Sequence, residues 1–128
     1  MSKFVKKAEK DLCLETSDQD WGLVNADYSR VNEFVEYFKS NRRDDCSSKV
    51  YNDFIYNMTE LIIESVLNGV EKNGELSAGD ACSIEKMCQL AFGHHALEIA
   101  KYSLQQGTSA SDCIVLGVIE RWIGGDKN

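Results

Sequence analysis

The chain has 128 residues, 43% of them hydrophobic and 27% charged, a balance that suits one globular domain and excludes a disordered chain. Its 21 acidic residues against 14 basic ones leave a net charge of −7, which excludes the basic footprint of a nucleic-acid reader and of a protein that binds anionic membranes. The total absence of proline argues against loop-rich and β-sandwich folds, whose turns use it often.

In chain order, residues 3 to 14 predict a first helix with Phe4, Val5, Ala8 and Leu12 on one side; its thin apolar face leaves a mobile arm as the alternative. Residues 15 to 26 read as a loop or short helical turn in which Trp21 packs the connection onto the core. Residues 28 to 40 predict a helix that Asp27 caps, with Tyr28, Val31, Val35 and Phe38 at helical spacing. After the polar NRRDDCSS, Ser47 or Ser48 caps a long helix over 49 to 72, which Asn73-Gly74 ends by a left-handed cap. Gly69 lies inside it and marks a close contact or an early end. GELSAGD is a loop. Asp80 caps a helix to Phe92, another runs from His94 to Gln106, and Asp112 or Ser111 caps a last one over 112 to 123. No segment keeps a period-two alternation. The expectation is an all-α, single-domain bundle of five to six helices over residues 1–128.

The long helix carries the feature that most invites a function. On a helix of 3.6 residues per turn, Asp53, Asn57, Glu60, Glu64, Asn68 and Glu71 fall within about 80 degrees of arc. The four carboxylates span about 27 Å along the axis. The apolar set, from Tyr51 and Phe54 through Val66 and Val70, takes most of the remaining girth. Lys72 is the sole base between Asp53 and Glu85. The bland reading is a solvated face that lets a buried helix reach water. The functional one is a binding face for a basic protein, whose encounter the field would steer. A second acidic tract, from Asp11 to Phe38, has Arg30 as its sole base and would enlarge that face if it packs alongside.

Candidate chemistry is thin. His94 and His95 are adjacent and point about 100 degrees apart, so they cannot form the i, i+4 pair of H-E-x-x-H. His95 shares a face with Glu98, but in the order His before Glu and only once. The five cysteines, at 13, 46, 82, 88 and 113, form no CxxC and read as reduced thiols of a cytoplasmic protein. MSKFVKKAEK is not followed by the apolar core of a secretory signal, and no run of about 18 apolar residues predicts a membrane span. There is no phosphate-cradling glycine loop, nucleophile elbow or dinucleotide fingerprint. Neither a cofactor, a metal nor catalysis is expected; a small metal- or thiol-dependent enzyme built around His94 and His95 stays as the remote alternative.

The order DWGLVNAD (20 to 27), RVNEFVEYF (30 to 38) and MTELIIES (58 to 65) resembles small cytosolic immunity proteins of bacterial toxin systems, including contact-dependent growth inhibition. The likeness covers roughly residues 18 to 68 and is one of motif order. It implies a protein that binds and blocks one cognate toxin domain, often a basic nuclease, without catalysis of its own. The expected binding residues come from charge geometry alone. They are Asp53, Asn57, Glu60, Glu64 and Glu71, which supply the field, with Asp20, Trp21 and Asp27 as an anchor at the rim. A helical adaptor with a different protein partner is the alternative.

Overall fold

The apolar girth of residues 54 to 70 is too wide for a surface helix, so other elements must cover it nearly all round. They do. In the structure, a computed structural model that describes residues 3–42 and 49–125, one unbroken helix over Lys49–Asn73 touches every other element. In chain order the helices are α1 (Lys3–Leu12), α2 (Trp21–Asn25), α3 (Val31–Asn41), α4 (Lys49–Asn73), α5 (Ala78–Ala91), α6 (His95–Gln106) and α7 (Ala110–Gly124), with a 3-10 turn at Tyr28–Arg30. All regular structure among the described residues is helical, as expected. There are seven α-helices there rather than five or six. The extra one is α2, whose five residues are too few to show a period. None of these helices is long and apolar enough to cross a membrane.

Phe54, Ile55, Met58, Leu61, Ile62 and Val66 of α4 are almost fully buried, and each such side chain contributes about 1.5–3 kcal/mol. At the N-terminal half of α4, Phe54 is ringed by Phe4, Tyr37 and Phe38, with ring centroids 6.2, 6.4 and 6.0 Å away. Residues 3 to 14 thus contain a helix seated on the core by Val5, Ala8 and Leu12. At the other half, Ile84, Met87 and Cys88 of α5, Leu97 and Leu104 of α6, and Val115 and Ile119 of α7 close the core.

The helix ends follow local chemistry. Gly74 takes φ +79, a conformation open to glycine at no steric cost, and its N–H bonds the Val70 carbonyl at 2.7 Å, so α4 stops where expected. Gly69 marks a close contact and not an early end: a Cβ there would stand 3.3 Å from Tyr28 Cβ, so the 3-10 turn lies against α4. The caps of α5 and α7 sit three residues earlier than Asp80 and Asp112. Ser77 Oγ accepts from Asp80 N–H at 3.0 Å, and Ser109 Oγ accepts from Asp112 N–H at 3.1 Å. Asp27 caps as expected, though the element is the 3-10 turn. The caps expected at Ser47 or Ser48 lie outside the described residues.

Candidate functional site: an acidic groove along the central helix

The polar line of α4 does not run along open solvent. Helix α2 lies across it at Gly22, where a missing side chain permits near contact of two backbones. A Cβ at Gly22 would stand 2.8 Å from Leu61 N and 2.5 Å from Glu60 Cγ. In that contact Glu60 Oε1 accepts the Gly22 N–H at 2.7 Å, so this carboxylate holds the first turn of α2. Trp21, beside it, is 3% exposed, and its indole N–H donates to Glu9 Oε2 at 2.9 Å. The Asn25 side chain accepts from Glu15 N–H at 2.7 Å and donates to the Glu15 and Trp21 carbonyls at 3.0 Å. Trp21 therefore anchors residues 14 to 25 to their own core and is almost wholly buried there. Asp27 is equally inward in its duties. Its N–H bonds Ser65 Oγ at 3.0 Å, and its carboxylate accepts from the Ser29 N–H and hydroxyl, which hold its pKa below the ordinary value.

What remains open is a trough of about 330 Å³ between residues 17–21 and α4. Asp18 and Asp20 from the loop face Asp53, Asn57 and Glu60 from the helix, and no lysine or arginine lines it among the described residues. The two acidic tracts thus do meet, through this loop rather than through α3. Of the other acids of the first tract, Asp11 is engaged by Lys7 and Tyr37, and Glu33 by Arg30. Tyr56 forms the ridge at the end of the trough. Its pKa is raised by burial first, then by the charge of Glu60 and the hydrogen bond to it, then by Asp20.

Beyond Tyr56 lies a second, smaller cavity of about 90 Å³ between α4 and α6, capped by the start of α7. Glu60 and Glu64 line it from α4 and Asp112 from α7, over walls that include Ile63, Leu67, Ile99 and Leu104. Glu64 is half-buried and has no hydrogen-bond or ion-pair partner among the described residues. Its pKa is raised, by burial first and then by the charges of Glu60, Asp112, Glu71 and Asp20. Thr59 also lines this cavity. It is 1% exposed, and its Oγ1 is a buried polar atom with no hydrogen-bond partner. Glu71 stands apart on the exposed end of α4, where it accepts from Ser111 Oγ at 3.4 Å. Its neighbour Lys72 does not neutralise it; the ammonium lies 5.0 Å from the Tyr28 ring centroid.

The structure thus brings Asp20, Trp21, Asp53, Asn57 and Glu60 together around the trough, places Glu64 with Glu60 in the adjoining cavity, and leaves Asp27 and Glu71 out of both linings. Asp18, Thr59 and Asp112 were missed as site residues. Asp112 is the nearest to legible, since an acid in the first turn of a helix must point at something, whereas Thr59 sits mid-helix among apolar neighbours with nothing to single it out.

The histidines are local. His94 Nδ1 accepts from the Ala96 N–H at 2.9 Å and caps α6, and its Nε2 lies 3.1 Å from Asn52 Oδ1. His95 is exposed. Among the described residues no group of three or more His, Cys, Asp or Glu is placed to share a metal ion. Cys88 is buried, which pushes its thiol up to about 12 and makes it a poor nucleophile. No family model, curated protein or solved structure matches this chain.

Proposed function

We propose that the chain is an immunity-type inhibitor whose acidic groove receives the cationic surface of one cognate toxin domain in the cytoplasm. The observation that carries this is the trough in which Asp18 and Asp20 face Asp53 and Glu60 with no base among its described lining. A lining whose described charges are all of one sign steers the encounter with a positively charged surface. A basic nuclease domain fits, because the surface it uses for phosphates is complementary to this groove, and occupying that surface is enough to block it. The motif order of residues 18 to 68 supports the same reading. Inhibition then needs no chemistry from this chain, only a lasting complex.

The test is co-expression with the C-terminal domain of a large secreted protein encoded directly upstream. A stable 1:1 complex and rescue of growth are expected. Asp18→Lys combined with Asp20→Asn, which keeps a residue tolerant of the left-handed backbone at position 20 (φ 54), should slow association on the order of tenfold at low salt and flatten its salt dependence. Unchanged association and protection in that variant would reduce the trough to a solvated face.

A further inference from the structure

We propose that the cavity between α4 and α6 is a binding site for a primary ammonium group on an aliphatic stem, the chemistry of a lysine side chain or of a free alkylamine. It rests on the reading of the acidic face as the binding face and names the group that enters it. Three independent features agree. The first is size: about 90 Å³ is several times the roughly 10–15 Å³ that one water needs, so the cavity takes a small group and not a large ligand. The second is the lining. Ile63, Leu67, Ile99 and Leu104 give a stem apolar walls, while Glu64 presents a carboxylate that nothing in the described chain pairs. The third is Thr59, a residue of the same lining whose Oγ1 is buried and has no hydrogen-bond partner. Buried hydroxyls are nearly always satisfied, so an unsatisfied one beside a cavity points to a group that arrives from outside.

An ammonium answers all three at once. It has three donors and no acceptor, so it can donate to the Glu64 carboxylate and to the Thr59 hydroxyl together. A carboxylate or phosphate would meet Glu60, Glu64 and Asp112 and be repelled. A neutral alcohol would fill the walls but leave Glu64 uncompensated. Asp112 already accepts from Ser109 Oγ at 2.7 Å, so it acts through its charge at the mouth.

The experiment is a titration of the ¹⁵N-labelled chain, followed by backbone amide shifts, with n-pentylammonium chloride, with Nα-acetyl-lysine N-methylamide, and with 1-pentanol as the neutral control. Both ammonium probes should give saturable shifts concentrated at Thr59, Ile63, Glu64 and Ile99, with 1-pentanol at least tenfold weaker. Glu64→Gln should weaken the ammonium probes at least tenfold. Thr59→Val, which keeps shape and removes the hydroxyl, should weaken them several-fold. Tighter binding of the lysine derivative assigns the site to a partner's lysine, and tighter binding of pentylammonium assigns it to a free amine. No saturable shift at these residues, an equal response to 1-pentanol, or no effect of Glu64→Gln in a variant with an otherwise native spectrum overturns the proposal. The toxin reading fails separately, in the partner association of the Asp18 and Asp20 variant, which this titration does not touch.

Discussion

Replacing Gly22 by Ala decides whether the acidic line is clamped under α2 or stands in solvent. The new methyl would sit 2.5 Å from Glu60 Cγ, 2.7 Å from Glu60 Oε1 and 2.8 Å from Leu61 N. Carbon atoms rest at about 3.5–4.0 Å, so roughly 1 Å has to be found. Glu60 can swing aside, but it then releases the Gly22 N–H, a hydrogen bond to a charged acceptor worth about 1.5–3 kcal/mol. Leu61 N cannot swing, because it belongs to the backbone of the central helix, so α2 must lift as well. Overpacking of this kind costs about 1–3 kcal/mol. The better helix propensity of Ala returns at most about 1 kcal/mol. The net loss is about 1–3 kcal/mol, a fall in Tm of roughly 4–12 °C for a chain of this size. Thermal unfolding followed by circular dichroism measures it, and amide exchange at residues 21 to 25 localises it. A Tm that stays level or rises would refute the seating of α2 on α4 and would return Glu60 to the open surface.

Three further outcomes follow from the same geometry. Trp21→Phe keeps the ring but removes the donor to Glu9 Oε2, leaving a buried carboxylate oxygen short of a partner; urea unfolding should show a loss of about 1.5–3 kcal/mol, and a loss no larger than a surface change would contradict the bond. Glu64→Gln should raise Tm at neutral pH. The folded-state pKa of Glu64 is raised, so the stability linked to its proton is complete below the ordinary value of 4.5 and is lost as pH rises through the folded pKa; the variant's advantage must therefore vanish below about 4.5, and a pH-independent difference would exclude titration of Glu64 as its source. His94 shows the opposite sign. Its pKa is lowered, by burial first and then by Arg42 and His95, and its Nδ1 can accept from Ala96 N–H only when free of a proton, so the cap is whole above 6.5 and is lost as pH falls through the folded pKa. His94→Ala should cost about 1 kcal/mol at pH 8 and His94→Asn much less, with Ala96 amide exchange as the local measure.

What the sequence makes legible here is whatever one helix decides by itself. The girth of α4 and its stop at Gly74 are each written within a few turns, where period and capping chemistry act. The two misplaced caps show the limit even at that range. Ser77 with Asp80 and Ser109 with Asp112 are both S-x-x-D, in which the serine is the cap and the acid sits three residues in; reading the acid as the cap moved both helix starts. Glu60 shows the larger limit. Its partner Gly22 is 38 positions away and contributes only a backbone N–H, a group every residue has. No letter in the sequence advertises that bond, so the acidic line reads as solvent-facing until α2 is seen lying on it.

That seating also changes what the line means. If all four carboxylates faced water, their spacing would need no explanation beyond solubility. Glu60 instead satisfies the start of α2, so it is accounted for by the fold. Glu64, one turn on, is not: it is half-buried among four like charges and has no hydrogen-bond or ion-pair partner among the described residues. Thr59 beside the same cavity is a second unpaid cost of the same kind. Each is a local violation that the fold alone would remove by a single change, Glu64 to Gln or Thr59 to Val, with the core volume kept. Local rules broken twice around one cavity, with the remedy so near in sequence, are what a site under a demand other than stability looks like, and the demand these two groups share is for a donor that carries positive charge.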